Sequence, residues 1–517
     1  LRTRRNLHAP ISQLPPEILS AIFILVRDEM TIKSFNYRRR SWTRVSYICR
    51  HWRKVALGCP ALWSYLDFFA LPALVPEMLL RSKSALLTIK LFSRRHLTKT
   101  TEAFYASLQH LSRVQELSLT TSNWDFEKWF CHANQSTPHL HKLKLWAMFC
   151  GRELVVLPRD FLNGTAPCLS YLELRNFHLH WDSPLLKNLT TLKLSRSNSR
   201  SAFLPTPEQL VEILSHMPDL EILELKNVLP SSKSSLSEVT LTRLRSVLLS
   251  GEPAGCAYAL DLISFPSTAR IQFTGILEEG ALTALENIAL MLPPISKIRR
   301  RLCEPDVILS LSISCSSSGV TISAMLNTAF DPLEKKYWMT LGLKNPANGW
   351  FDKAEAVVKI LGVLTPLTKV GMLKVEAEEQ FWGSQAPGVL AATFDNVHTL
   401  HVQGGWGVNF LQTMSTLQED STRVGAFPLL TYLELTDLDF DENRDGNRDG
   451  NDMVPSLVNC LQLRSNAQAE VERLVLRNCI RLTCDGINKL EEVVEDVDWD
   501  QEEIGFTDSE EGIDDDD

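Results

Sequence analysis

The chain has 517 residues, 44% apolar and 22% charged, with a net charge of −9. That composition is ordinary for a soluble protein with a large core, and with no run of 18 apolar residues no transmembrane helix is expected. Its eleven cysteines are scattered without a C-x-x-C pair, the nearest two being Cys479 and Cys484, which argues against a disulfide framework or zinc site and for reduced, mostly buried thiols in the cytoplasm or nucleus.

The length suggests about three domains, or one continuous body if the chain is a repeat array. Charge is unevenly spread. Glu491 to Asp517 holds 15 acidic residues and no Lys or Arg, which leaves the remainder at +6. A segment so acidic has too little apolar surface to offset ordering entropy, so 491–517 is expected to be a disordered tail.

LRTRRNLHAPISQ opens the chain with basic residues and no apolar stretch behind them, so it does not read as a secretory signal. Residues 1–10 are expected to be flexible, and the start on Leu1 leaves room for residues in front. LPPEILSAIFILV follows. Pro15 and Pro16 suit a helical first turn and Glu17 complements its positive end. Ile18, Leu19, Ile22, Phe23 and Val26 then line one stripe.

Between Trp42 and Ala56, apolar residues fall at Val45, Ile48, Cys49, Trp52, Val55 and Ala56, the spacing of one helical face. Arg44, Arg50, Arg53 and Lys54 fall mainly opposite, and Gly58 with Pro60 stops the helix. Nucleic-acid binding would want aromatic and arginine on one shared face, and here they separate. Two such helices cannot bury enough to stand alone, so they need a partner surface.

Leu14-Pro15-Pro16-Glu17-Ile18-Leu19, Ile22-Phe23, Val45, Cys49, Trp52-Arg53 and Leu62-Trp63, in this order, resemble an F-box, and CPALWSYLDF resembles its fungal form. The resemblance covers residues 11–68. It implies a helical module that docks on a Skp-family adaptor and through it on a cullin. By this resemblance Leu14, Pro15, Ile18, Leu19, Ile22, Phe23, Val45, Cys49 and Trp52 serve adaptor binding, partly as contact and partly as core. Arg27 to Ser41, with Arg38-Arg39-Arg40, departs from the family as a longer, more basic connection.

Beyond residue 85 a six-residue phrase recurs, as in VQELSL, LHKLKL, LSYLEL and LTYLEL. Its central apolar residues are Ile89, Leu117, Leu143, Leu172, Leu192, Leu223, Val247, Ile271, Leu311, Leu341, Leu373, Leu400, Leu433 and Leu474. Each phrase reads as a short strand, followed by a turn and a helix that returns to the next strand. The expectation for 69–490 is an α/β solenoid, an irregular leucine-rich-repeat horseshoe whose units stack into one core. Asn176, Asn198, Asn227 and Asn478 follow their strands where turn carbonyls need a partner. LVLRNCIRLTCDGINKLEE resembles the cysteine-containing repeats that accompany F-boxes. In Pro205 to Leu220, Pro207 starts a helix and Leu210, Ile213 and Leu214 face inward. The phrases weaken between Gly251 and Gly319.

DENRDGNRDGND, Asp441 to Asp452, resembles a calcium loop, but Arg444 and Arg448 and the missing terminal Glu make it a solvated insertion. His132, His139 and His141 read as surface imidazoles, and Trp406 in QGGWG as a loop anchor. No catalytic or nucleotide-binding motif occurs. The chain is therefore read as a non-catalytic subunit without metal or cofactor, the substrate receptor of a Skp–cullin–F-box ubiquitin ligase. The target-facing candidates are Ser118, Lys144, Glu173, Lys193, Glu224, Lys374, His401 and Glu434. The alternative is a repeat scaffold with no ligase role. Neither nucleic acid nor a membrane is expected as partner, and the sequence names neither target nor pathway.

Overall fold

The computed structural model describes residues 10–32, 37–68, 72–92, 98–122, 126, 129, 133, 135–148, 154–197, 203–277, 286, 289–293, 295–296, 308–326, 339–344, 353–364, 367–378, 386–404, 408–416, 424–440 and 453–500. They fall in two compact units, residues 1–244 with 262–265, and residues 245–261 with 266–517. Asn198, His132, Trp406, the loop 441–452 and the acidic run 501–517 lie outside the described residues.

In the first unit the phrases are strands. Tyr65–Asp67, Leu87–Phe92, Val114–Ser122, Lys142–Met148, Tyr171–Arg175, Thr191–Ser195 and Ile222–Lys226 pair in parallel, each with the next in the chain. Ile89, Leu117, Leu143, Leu172, Leu192 and Leu223 stand in one register row, none more than 2% exposed. A second row, Leu91 to Leu225, runs beside it. Period-two alternation points these residues inward, and each leucine contributes roughly 1.5–3 kcal/mol by burial.

The connections differ from the expected helix in every step. Helices Val75–Ser82, Thr98–Leu108 and Pro207–Ser215 are present, but short 3₁₀ turns at Phe161–Gly164 and Pro184–Leu186 serve the strands from Lys142 to Ser195. The first of these steps carries Pro158 and Pro167, which a continuing helix could not accommodate, and in the second Pro184 stands at the first position of its turn. Pro207 does begin its helix. Thr206 Oγ1 accepts from Gln209 N at 3.3 Å and Gln209 Oε1 accepts from Thr206 N at 3.0 Å, a reciprocal cap.

In the second unit, Ser246–Gly251, Arg270–Ile276 and Met339–Lys344 pair in parallel. Spatial and sequence order then part. Gly319–Leu326 lies antiparallel between Met339–Lys344 and Ile308–Ser316, and Ile308–Ser316 is parallel to Met372–Ala377. The expected simple succession through Leu311 and Leu341 is thus corrected by a hairpin folded into the sheet. Its turn at CSSSG explains the choice, because Gly319 adopts φ +155, and a β-carbon there would strike the Leu343 carbonyl. From Met372 on, strands Thr399–Gln403, Tyr432–Thr436, Arg473–Arg477 and Asp496–Trp499 resume parallel pairing. Helices Lys353–Leu364, Ala386–Thr393, Val408–Met414, Met453–Asn466 and Cys484–Glu491 intervene, each packed on the next.

Asp496–Trp499 corrects the placement of the acidic tail, because 491–500 is structured. Asp498 lies 2.6 Å from Arg477 and 3.4 Å from Arg473, so two cations offset the like charges of this edge strand. Of the described turn asparagines, Asn176 and Asn227 bond backbone carbonyls as expected, whereas Asn478 bonds a side-chain carboxylate. Asn176 (φ +62) donates Nδ2 to Ala147 O at 3.0 Å and accepts from Ser197 N at 2.8 Å. Asn227 (φ +55) donates to Arg196 O at 2.9 Å. Asn478 (φ +50) donates to Asp437 Oδ1.

Eight described cysteines are free thiols, five of them buried. Among the described residues no helix is long and apolar enough to cross a membrane, and no group of three or more His, Cys, Asp or Glu could hold a metal. His139 and His141 are exposed.

Candidate functional site

The amino-terminal helices are built around aromatic packing. The first helix runs Pro16–Ile32. The single helix expected from Trp42 to Ala56 is two pieces, a 3₁₀ segment Tyr37–Tyr47 and an α-helix Arg50–Gly58. Cys49 is extended and caps the latter, its Sγ accepting from Trp52 N at 3.4 Å. The connection after Arg27 is correspondingly shorter than expected, since the first helix continues to Ile32 and helical turns resume at Tyr37.

Phe23 packs against Trp52 at 5.0 Å between ring centroids, and Trp42 meets the edge of Trp63 at 5.5 Å. Trp63 donates its indole N–H to Ala56 O at 2.8 Å. Arg27 is buried and donates to the carbonyls of Ala61 at 2.6 Å and Leu62 at 3.3 Å, tying the first helix to the Pro60–Trp63 turn. Arg81, on the next helix, lies 4.4 Å over the Trp63 ring. The module is thereby fastened to the following strands, of which Tyr65–Asp67 is the first.

The nine residues singled out by sequence divide. Leu19, Phe23 and Val45 are buried in the module's own core. Trp52 is half-buried against Phe23, and Cys49 is half-buried at its cap. Pro15 is exposed, Leu14 and Ile22 are half-buried, and Ile18 is 50% exposed. Leu25, at 67% exposure, extends the Ile18–Ile22 ridge by one further turn. Ile11, Tyr47 and Ile48 are exposed apolar residues of the same module. Leu25, Ile11 and Tyr47 are absent from the sequence selection. Spacing alone could have found Leu25, seven residues after Ile18, whereas Ile48 leaves the core only because the helix breaks at Cys49.

The strand-face candidates form two register rows, one in each unit. In the first unit Ser118, Lys144, Glu173, Lys193 and Glu224 are successive partners. Lys144 sits 3.2 Å from Glu173, and Lys193 pairs with Glu224. Glu173 also accepts from Tyr171 Oη at 2.7 Å and Arg175 Nε at 2.8 Å. Burial works against the Glu173 carboxylate, but these hydrogen bonds and Lys144 win and hold it down at about 2. Burial and Glu173 push the Tyr171 phenol upward. In the second unit Lys374, His401 and Glu434 are successive partners, with His401 Nδ1 2.8 Å from Glu434 and Tyr432 Oη donating to the same carboxylate at 3.1 Å.

No curated protein matches the chain. A family model described as F-box-like matches residues 11–68, the same span in which the aromatic core and the open apolar ridge lie. Residues 11–68 are an F-box-like domain.

Proposed function

We propose that the chain is the substrate-recognition subunit of a Skp–cullin–F-box ubiquitin ligase. The observation that carries this reading is the apolar ridge of Leu14, Ile18, Ile22 and Leu25, left open on a module whose neighbouring ridge, Leu19 and Phe23, is fully packed. Water-exposed side chains of this kind become favourable when a partner covers them. The Skp-family adaptor is that partner, with Pro15, Cys49 and Trp52 at the margin and Leu19, Phe23 and Val45 supporting from beneath. The adaptor links the chain to a cullin.

The registered strands of residues 69–490 act as leucine-rich repeats and hold the target through Ser118, Lys144, Glu173, Lys193 and Glu224, or through Lys374, His401 and Glu434. The chain performs no bond chemistry. It raises the local concentration of target lysines near the charged enzyme, in the cytoplasm or nucleus. The second reading, a repeat scaffold with no ligase role, predicts that no adaptor is captured.

Co-purification separates the two. The wild-type chain is expected to retain a co-expressed Skp-family adaptor. Leu14→Ala with Ile18→Ala removes anchors worth about 2 kcal/mol each, on the order of a thousandfold in affinity. Undiminished capture by the double variant would exclude this interface, and no capture by the wild type would favour the scaffold.

A further inference from the structure

Positive charge is concentrated at the amino end of the chain. Residues 1–54 hold 12 Lys or Arg against 3 Asp or Glu, a net +9, while the whole chain carries −9. The +6 of residues 1–490 therefore lies entirely in this segment.

The break at Cys49 decides how part of this charge is displayed. Arg44 and Tyr47 stand three apart on the 3₁₀ segment Tyr37–Tyr47, so they share a face. Arg50, Arg53 and Lys54 share a face of the helix Arg50–Gly58. The Arg53 guanidinium lies 6.0 Å from the centre of the Tyr47 ring and joins the two stripes into one surface. All five residues are exposed, as is His51. Among the described residues no carboxylate pairs with Arg44, Arg50, Arg53 or Lys54. Tyr47 and Ile48 protrude at the break, 74% and 59% exposed. The cations are thus kept apart from Trp52, but they surround an apolar tip of their own.

We propose that this surface docks on an anionic lipid bilayer, with Ile48 and Tyr47 entering the headgroup boundary and Arg44, Arg50, Arg53 and Lys54 meeting the lipid headgroups. A charged bilayer attracts each cation, takes the aliphatic side chain out of water and holds a tyrosine at headgroup level. Docking of this kind needs no spanning helix, and it uses none of the ridge Leu14, Ile18, Ile22 and Leu25. Single-stranded nucleic acid is the poorer occupant. It is held by successive stacking platforms along a groove, and it offers Ile48 no apolar surface to leave water for.

The test is co-sedimentation of the full chain with phosphatidylcholine vesicles holding about 30% phosphatidylserine, in about 0.1 M salt. The comparison probes are plain phosphatidylcholine vesicles, and oligothymidylate and polyglutamate supplied at the same anionic charge. The charged vesicles are expected to bind at least about tenfold tighter than the neutral ones, and about 1 M salt should release most of the chain. Each Lys or Arg adds about fivefold at such a surface, so Arg44→Gln, Arg50→Gln, Arg53→Gln and Lys54→Gln together should weaken binding on the order of a hundredfold or more. Tyr47→Ser with Ile48→Ser should weaken it about tenfold, a loss that a purely electrostatic contact would not show. All six positions are at the surface, so both variants should unfold as the wild type does. If the quadruple variant unfolds early, Arg50→Gln with Lys54→Gln should still cost about 25-fold.

Failure to bind the charged vesicles, equal binding to neutral ones, or undiminished binding by either set of substitutions would overturn the proposal. So would binding of oligothymidylate or polyglutamate as tight, per charge, as that of the vesicles.

Discussion

Ile18 and Leu19 are adjacent on the first helix, yet Ile18 is half exposed and Leu19 has no exposure at all. One helical step of 100° separates a side chain of the core from one that waits for a partner. Leu19→Ala is expected to lower stability by about 2–5 kcal/mol through lost burial and the cavity left behind. Ile18→Ala should change it by no more than about 0.5 kcal/mol. Denaturant unfolding of the two variants reads this difference. Similar losses for both would mean that the ridge is not open.

Arg27 joins the two ends of the F-box-like domain through the carbonyls of Ala61 and Leu62. Arg27→Met keeps much of the side-chain volume but takes the donor from the buried Leu62 carbonyl, while the Ala61 carbonyl still accepts from Ser64, so the cost should be about 1–3 kcal/mol. The thermal midpoint should fall, and amide exchange at 59–63 should accelerate first. A variant as stable as the wild type would show that these hydrogen bonds contribute nothing net.

Asn176 combines a left-handed backbone with hydrogen bonds to the strands on either side. Asn176→Gly keeps the conformation and loses the bonds, while Asn176→Ala loses both. The expected order of stability is Asn, then Gly, then Ala, with the alanine variant lower than wild type by about 2–3 kcal/mol. Equal losses in glycine and alanine would show that φ carries none of the effect.

Two buried groups of the first unit set its acid response. His178 is pushed down to about 4 by burial and by Arg196 and His180. Below its ordinary value of 6.5 the unfolded chain takes up a proton that the folded chain refuses. Stability therefore falls as pH drops from 6.5 toward 4. Glu173, held at about 2, contributes stability that is full above its ordinary value of 4.5 and is lost as pH falls toward 2. Each group accounts for on the order of 2 kcal/mol. His178→Gln should flatten the first window and Glu173→Gln the second, in unfolding free energies measured from pH 7 to 2.5. Parallel curves for wild type and variants would refute both assignments.

The sequence revealed the strands well and the connections poorly, for a physical reason. A period-two phrase with a central leucine is decided locally, and each of the fourteen central residues lies in a strand. Pairing order is not local. The hairpin Ile308–Leu326 shares the alternation of its neighbours, so only the turn at Gly319 marked the reversal. In the F-box-like domain the apolar spacing from Val45 to Ala56 reads as one helix because a 3₁₀ turn and an α-turn place neighbours alike. The break at Cys49, whose extended backbone and Sγ cap begin a new helix, leaves Ile48 at the surface. The pair Glu173–Arg175, two residues apart on one strand, was open to a period-two reading, whereas Lys144–Glu173 and Lys193–Glu224 meet only once strand register is fixed.

The most direct measurement is a calorimetric titration of a purified Skp-family adaptor into the full chain and into Ile18→Glu and Leu25→Glu. Both positions are at the surface, so both variants should unfold as the wild type does. A charge placed on a ridge that the adaptor covers should weaken binding by about a hundredfold or more. Unchanged affinity in two folded variants would contradict the account, since the ridge would then not be the surface that meets the adaptor.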